Sequence, residues 1–206
     1  MHTILSHPLV STAMSVLRDK HTTAAAFREA LERLAFHLCL ACTTELSLRS
    51  YELSTPLEQT TGYALQGGVV VVPVLRSGLT LLHAFTQCIP EATIGYVGLK
   101  RDETTLVPKE YYCNVPPLDE NTTVIILDPM LATGGSMCAA IADLKKRGAT
   151  QIIAAVVLAA PEGIAEVERE HPDVRIVCAA MDRALNSHGY IVPGLGDAGD
   201  RAHGTV

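Results

Sequence analysis

No stretch of this 206-residue chain is apolar for long enough to cross a bilayer: the run at 152–160 is less than half of what a helical span needs. The opening MHTILSHPLV lacks the basic-then-apolar order of a secretion signal, so the expected location is cytoplasmic, with no membrane partner. Positive charge is scarce as well. The net charge of −6 argues against a broad basic face for nucleic acid, so no nucleic-acid partner is expected and an anionic ligand would need a local site. Six cysteines stand at positions 39, 42, 88, 113, 138 and 178, and only Cys39 and Cys42 form a C-x-x-C; without a second pair at zinc spacing they read as buried reduced thiols, and no protein-held metal is expected. Long low-complexity linkers and internal repeats are missing too. What remains, 48% hydrophobic and 18% charged residues, fits one compact α/β domain over residues 1–206.

Along the chain, Phe27, Leu31, Leu34, Leu38 and Cys42 recur at helical spacing, which predicts one long amphipathic helix from Thr23 to about Arg49. Its expected role is packing or dimer contact. From there the pattern alternates: strand 68–75, helix 77–87, strands 93–99 and 124–128, helix 134–147, strand 152–159, helix 162–170, strand 174–180. Strands alternating with helices predict βαβ units, a parallel sheet flanked by helices, and ligands at the carboxyl ends of the strands. The charged, Pro-rich segment 101–119 interrupts this order and reads as a β-arm or flap. The Gly-rich tail from Asn186 reads as something other than a further βα unit.

Two glycine motifs are excluded by context. GLGDAG at 194–199 satisfies G-x-G-x-x-G, but only seven residues follow it, too few for the helix and acid of a dinucleotide site. Gly134–Gly135–Ser136 has no lysine beside it, so it is not a P-loop. The segment DPMLATGGS at 128–136 has a different logic. A buried strand ends in an acid, and small residues then lead into a helix whose free N–H groups suit a phosphate. Asp128 can accept from ribose hydroxyls while Thr133, Ser136 and backbone N–H groups hold a 5′-phosphate. Taken singly, Arg76 and Arg101 read as solvated or ion-paired arginines, Asp128 as a helix-capping acid, and His188 and Tyr190 as residues that fold the tail.

DPMLATGGS closely resembles the phosphoribosyl-diphosphate motif of the type I phosphoribosyltransferases, and NSHGYIVPGLGDAGDR resembles the uracil-binding tail of the family's uracil branch. VVVVPVLRSGL, GYVGLKRDETTLVPKEYY and the N-terminal HPLV with its following LR extend the likeness over nearly the whole chain. It implies a Rossmann-like core at about 60–182, an arm or flap at about 100–119, and a base-binding hood at about 183–206. It also implies conversion of uracil and 5-phosphoribosyl 1-diphosphate (the donor) into UMP and diphosphate, as in pyrimidine salvage. Magnesium would arrive with the donor, GTP is a candidate effector, and a homodimer or higher homo-oligomer is expected.

By that resemblance Arg76 and Arg101 bind the donor's diphosphate, and the ribose-phosphate loop is Asp128, Pro129, Met130, Leu131, Ala132, Thr133, Gly134, Gly135 and Ser136. Ile191, Gly196, Asp197 and Ala198 contact uracil, with Asp197 also facing the donor; Asp128, Arg101 and Asp197 are the residues expected to act in catalysis. Ser77 and Thr80 stand where the family more usually has Ala and Gly, which bears on the loop that carries Arg76. Rival readings are an RNA-binding regulator on the same fold, which should show a basic face; a transferase for another base, which should lack GYIVPGLGDAGD; and a non-catalytic module, which should have lost Asp128 or an arginine.

Overall fold

The computed structural model describes residues 1–101 and 108–205, with the backbone alone at positions 100, 101 and 108–110. The expected flap residues 102–107 and the Arg101 side chain therefore lie outside the described residues.

Strand β1 (His2–Ile4) leads into helices α1 (Pro8–Arg18) and α2 (Ala24–Thr43), and a hairpin of β2 (Leu48–Ser54) and β3 (Gln59–Leu65) follows. The central alternation is β4 (Gly68–Leu75), α3 (Leu79–Cys88), β5 (Thr93–Ile94), β6 (Tyr96–Arg101), β7 (Pro108–Asn114), β8 (Thr122–Leu131), α4 (Gly135–Lys146), β9 (Gln151–Ala159), α5 (Pro161–Glu170) and β10 (Arg175–Met181). The tail adds β11 (Ala184–Leu185), β12 (Ile191–Val192) and α6 (Ala198–His203). The main sheet runs β1-β10-β9-β8-β4-β6-β7, with β5 on β4. All its pairings are parallel except β6 with β7.

The two faces of the sheet follow from the period of two in β4 and β8. Val69, Val71, Ile125 and Leu127 pack with α1, α2 and α3, whereas Val70, Val72, Val124 and Ile126 pack with residues of α4 and α5. A strand buried on both sides has to read as a continuous apolar run, as GVVVVPVL does. Pro73 is tolerated in so central a strand because β4 pairs with β5 at Val70–Val71 and with β6 at Val74–Leu75, leaving Pro73 between the two.

Two expectations need correction. Helix α2 stops at Thr43 instead of continuing to about Arg49. Thr43 donates its hydroxyl to the Cys39 carbonyl at 2.8 Å, Thr44 donates to that of Leu40 at 3.0 Å, and Arg175 donates to that of Ala41, so side chains satisfy the helix's last carbonyls. The strand expected at 93–99 is two strands broken at Gly95, the first on β4 and the second shared by β4 and the antiparallel β7. That pairing gives the segment from 101 its β-arm character over β7. The tail also carries more regular structure than its glycines imply, with α6 and a two-stranded pairing of β11 with β12.

Candidate active site

β4 and β8 are neighbours, and the loops after them emerge at the same edge of the sheet. Gly78 lets the loop after β4 approach β8 closely: a Cβ there would sit 2.3 Å from the Leu127 carbonyl oxygen and 2.7 Å from the Val74 nitrogen. The close approach brings the Ser77 hydroxyl to Asp128, to which it donates at 3.1 Å. Thr80 donates to the Ser77 carbonyl at 2.7 Å, so Ser77 and Thr80 fix one local turn. Asp128 is 9% exposed, in the carboxyl half of the buried strand β8.

Past Asp128 the chain turns into α4 through Gly134, which adopts φ +86°, a left-handed conformation that side chains rarely take. A Cβ on it would also stand 2.9 Å from Glu166 and 3.0 Å from the Gly163 carbonyl oxygen. No side chain caps α4. Its first N–H groups and the positive end of its dipole are therefore available to an anion.

These groups share a cavity of about 620 Å³ with the tail. Arg76, Asp128, Met130, Leu131, Ala132, Thr133, Gly134 and Ser136 line one side, and Ile191, Gly196, Asp197 and Ala198 the other. Pro129, within β8, and Gly135, the first residue of α4, do not form the cavity wall. Arg101 ends β6, the strand beside β4, so its backbone stands near the same carboxyl edge. Ser77, Met137, His188, Gly189, Tyr190, Gly199 and Asp200 also line the cavity, although the sequence reading gave them no contact there. The tail residues among them could have been flagged by proximity to the uracil-like motif, whereas Met137 and Ser77 become visible only once the strand order is known.

The tail is fastened from behind. Arg201 donates to the carbonyls of Leu17, of Leu195 at 2.6 Å and of Asp19 at 2.6 Å, while its guanidinium lies 4.4 Å from the centre of the Phe27 ring. Arg28 donates to the Ala202 carbonyl at 2.8 Å. Asp197 caps α6 by accepting the Asp200 N–H at 3.0 Å, and this orients its carboxylate at the cavity rim.

The cysteines do not bear on this chemistry. Among the described residues none of the six is joined in a disulfide. Burial pushes the thiol pKa of Cys42 up to about 12 and those of Cys138 and Cys178 up to about 11, and it raises Cys39 as well. They stay protonated at neutral pH and are poor nucleophiles.

A family model described as uracil phosphoribosyltransferase matches residues 4–205. A uracil phosphoribosyltransferase of Finegoldia magna is 47% identical over 204 residues, covering 98% of each chain, and one of Bacillus cereus is 46% identical over 203 residues, covering 98% of this chain and 97% of its own. A solved protein of Aquifex aeolicus superposes with a TM-score of 0.93 at 37% identity over 98% of both chains. An adenine phosphoribosyl transferase of Trypanosoma brucei, at 15% identity and a TM-score of 0.60 over 91% of this chain and 87% of its own, shares the fold.

Proposed function

The chain belongs to the uracil phosphoribosyltransferase family, and from that premise we propose how its residues divide the work. It converts uracil and 5-phosphoribosyl 1-diphosphate into UMP and diphosphate, a step of pyrimidine salvage. The observation that carries the residue assignment is the single cavity in which Asp128 and the uncapped start of α4 face the tail.

Asp128 accepts from the ribose hydroxyls, and Thr133, Gly134, Gly135 and Ser136 hold the 5′-phosphate through hydroxyls and N–H groups. Arg76 and Arg101 bind the diphosphate. As the bond from C1 to the diphosphate breaks, the ribose becomes positive and the leaving group more negative. Preorganised cations next to that leaving group stabilise the transition state more than the ground state. Uracil attacks from the opposite face, and holding both reactants in line accounts for about 7–11 kcal/mol at best. Magnesium would ride mainly on donor phosphate oxygens, as this ion prefers few carboxylates and keeps its water; Asp128 and Asp197 are suitable protein contacts, and the ion would add charge stabilisation on the leaving group.

Ile191 and Gly196 to Ala198 read uracil through backbone groups, whose polarity is fixed. Cytosine reverses donor and acceptor at position 4 and N3, and no Asn or Gln lies between Gly189 and Arg201 to flip in response. A site of this kind rejects a mismatched base by about 10⁴- to 10⁵-fold. Diphosphate release measured against uracil, 5-substituted uracils, cytosine and purines tests the assignment. Uracil should dominate and small 5-substituted uracils should be partly accepted, whereas cytosine turned over within tenfold of uracil would remove the tail as the reader.

The finer expectations are a homodimer or higher homo-oligomer, a cytoplasmic location and activation by GTP. Thiols not joined in disulfides among the described residues are in keeping with the second. Rates with and without GTP test the third.

A further inference from the structure

Among the described residues two carboxylates are buried, Asp128 in the cavity and Asp182 outside its wall. Asp182 directly follows β10, and its backbone N–H is held by the Ala159 carbonyl at 2.9 Å. Its carboxylate takes both arms of the Arg18 guanidinium, at 2.7 Å and 2.6 Å. Arg18 is the last residue of α1. The same arginine nitrogen donates to the Gly194 carbonyl at 2.9 Å, and the Gly194 N–H donates to Asp182 at 2.7 Å. A closed ring of four hydrogen bonds thus ties the end of a helix and the end of a strand to both polar groups of one glycine in the tail.

Gly194 lies between Ile191 and Gly196, two residues of the cavity wall, while neither Arg18 nor Asp182 touches that cavity. Exchanging a buried ion pair for apolar residues often leaves stability unchanged, so stability alone is a weak reason for such a ring. What a bidentate fork does provide is a fixed distance and angle. A site that reads a base through backbone groups needs exactly that kind of fixity, because misplacement by a fraction of an ångström breaks several hydrogen bonds together.

We propose that Arg18 and Asp182 are positioning residues for the acceptor base, acting through Gly194 to set the placement of Ile191 and Gly196 to Ala198. The proposal rests on the reading of that tail as the uracil site. Arg18→Met and Asp182→Asn should raise KM for uracil about 10- to 100-fold, the loss of one or two well-aligned hydrogen bonds, while KM for the donor stays within threefold. Arg18→Lys keeps the charge and loses the fork; it should show the same split to a smaller degree and serves as the deciding variant if Arg18→Met does not fold. A folded variant with both KM values within threefold of wild type overturns the proposal, and so does a parallel rise in both, which would mark a general staple. Gly196→Ala, measured alongside, separates the two layers. If it raises uracil KM and Arg18→Lys does not, the positioning role alone fails; if it too leaves uracil KM unchanged, the reading of the tail fails and the proposal falls with it.

Discussion

Asp128 is buried within β8 near its carboxyl end, accepts the Ser77 hydroxyl and shares the cavity with a helix N-terminus, so its proposed work on the ribose depends on charge more than on shape. Asp128→Asn keeps the size and removes the charge; kcat/KM for the donor should fall about 10- to 1000-fold with little change in thermal midpoint. Near wild-type kinetics would remove the role. Ser77→Ala takes away one donor to that carboxylate and should raise donor KM about three- to tenfold, roughly the 1 kcal/mol of a typical hydrogen bond. An unchanged donor KM would make the departure from the family's usual Ala neutral. These two residues also mark what sequence could reveal. The acid and the phosphate loop lie within nine positions of one another, so their joint meaning was legible. The approach of Ser77 to Asp128 spans 51 positions and depends on β4 lying beside β8 and on Gly78 having no side chain.

Elements with a strong period were legible almost to the residue: β4 falls at Gly68–Leu75 as expected, and β8, β9, α4 and α5 within a few positions. The end of α2 was not, because its carbonyls are closed by Thr43, Thr44 and a distant arginine, and apolar spacing carries no trace of such donors. The β2–β3 hairpin escaped notice for a related reason. Its faces are mostly exposed, so it lacks the half-buried alternation that marks a strand. Short α6 depends on tertiary anchors at Arg201 and Arg28 more than on its own propensity. Arg201→Ala should therefore loosen the hood ahead of the rest: hydrogen exchange over 184–203 should accelerate about 10- to 100-fold while β8 keeps its protection. Equal acceleration in β8 would mean that the tail and the sheet open together.

At the scale of the whole molecule, acid tests one buried link and concentration tests one exposed surface. Burial by itself would raise the Asp182 carboxyl, yet hydrogen bonds from Arg18 and the Gly194 N–H, together with the positive charges of Arg18 and Arg183, hold it below its ordinary 3.8. A carboxylate depressed in the folded state adds stability that is present above the ordinary value and lost as pH falls through the lower folded one. Glu168 and Asp173 are lowered too, but both sit near solvent and contribute little. Stability measured from pH 6 down to pH 2, a range about the carboxylate values, should decline less steeply below about pH 4 in Asp182→Asn than in wild type, and parallel curves would discount the link. The exposed surface is the hairpin. β2 and β3 pair with each other and stand apart from the main sheet, exposing Leu57 at 95%, Tyr63 at 66%, Leu48 at 57% and Tyr51 at 45%. A lone two-stranded hairpin is marginal in water and this one exposes large apolar side chains on both faces, Leu48 and Tyr63 on one and Tyr51 on the other, so a second copy of the chain is the expected cover. Replacing Leu57 and Tyr63 together by Ser adds no charge and leaves the backbone ladder intact. If a second copy covers the hairpin, light scattering across a dilution series should place the variant nearer the single-chain mass than wild type at equal concentration. If the two dilution curves coincide, the hairpin is not the surface that holds the assembly together.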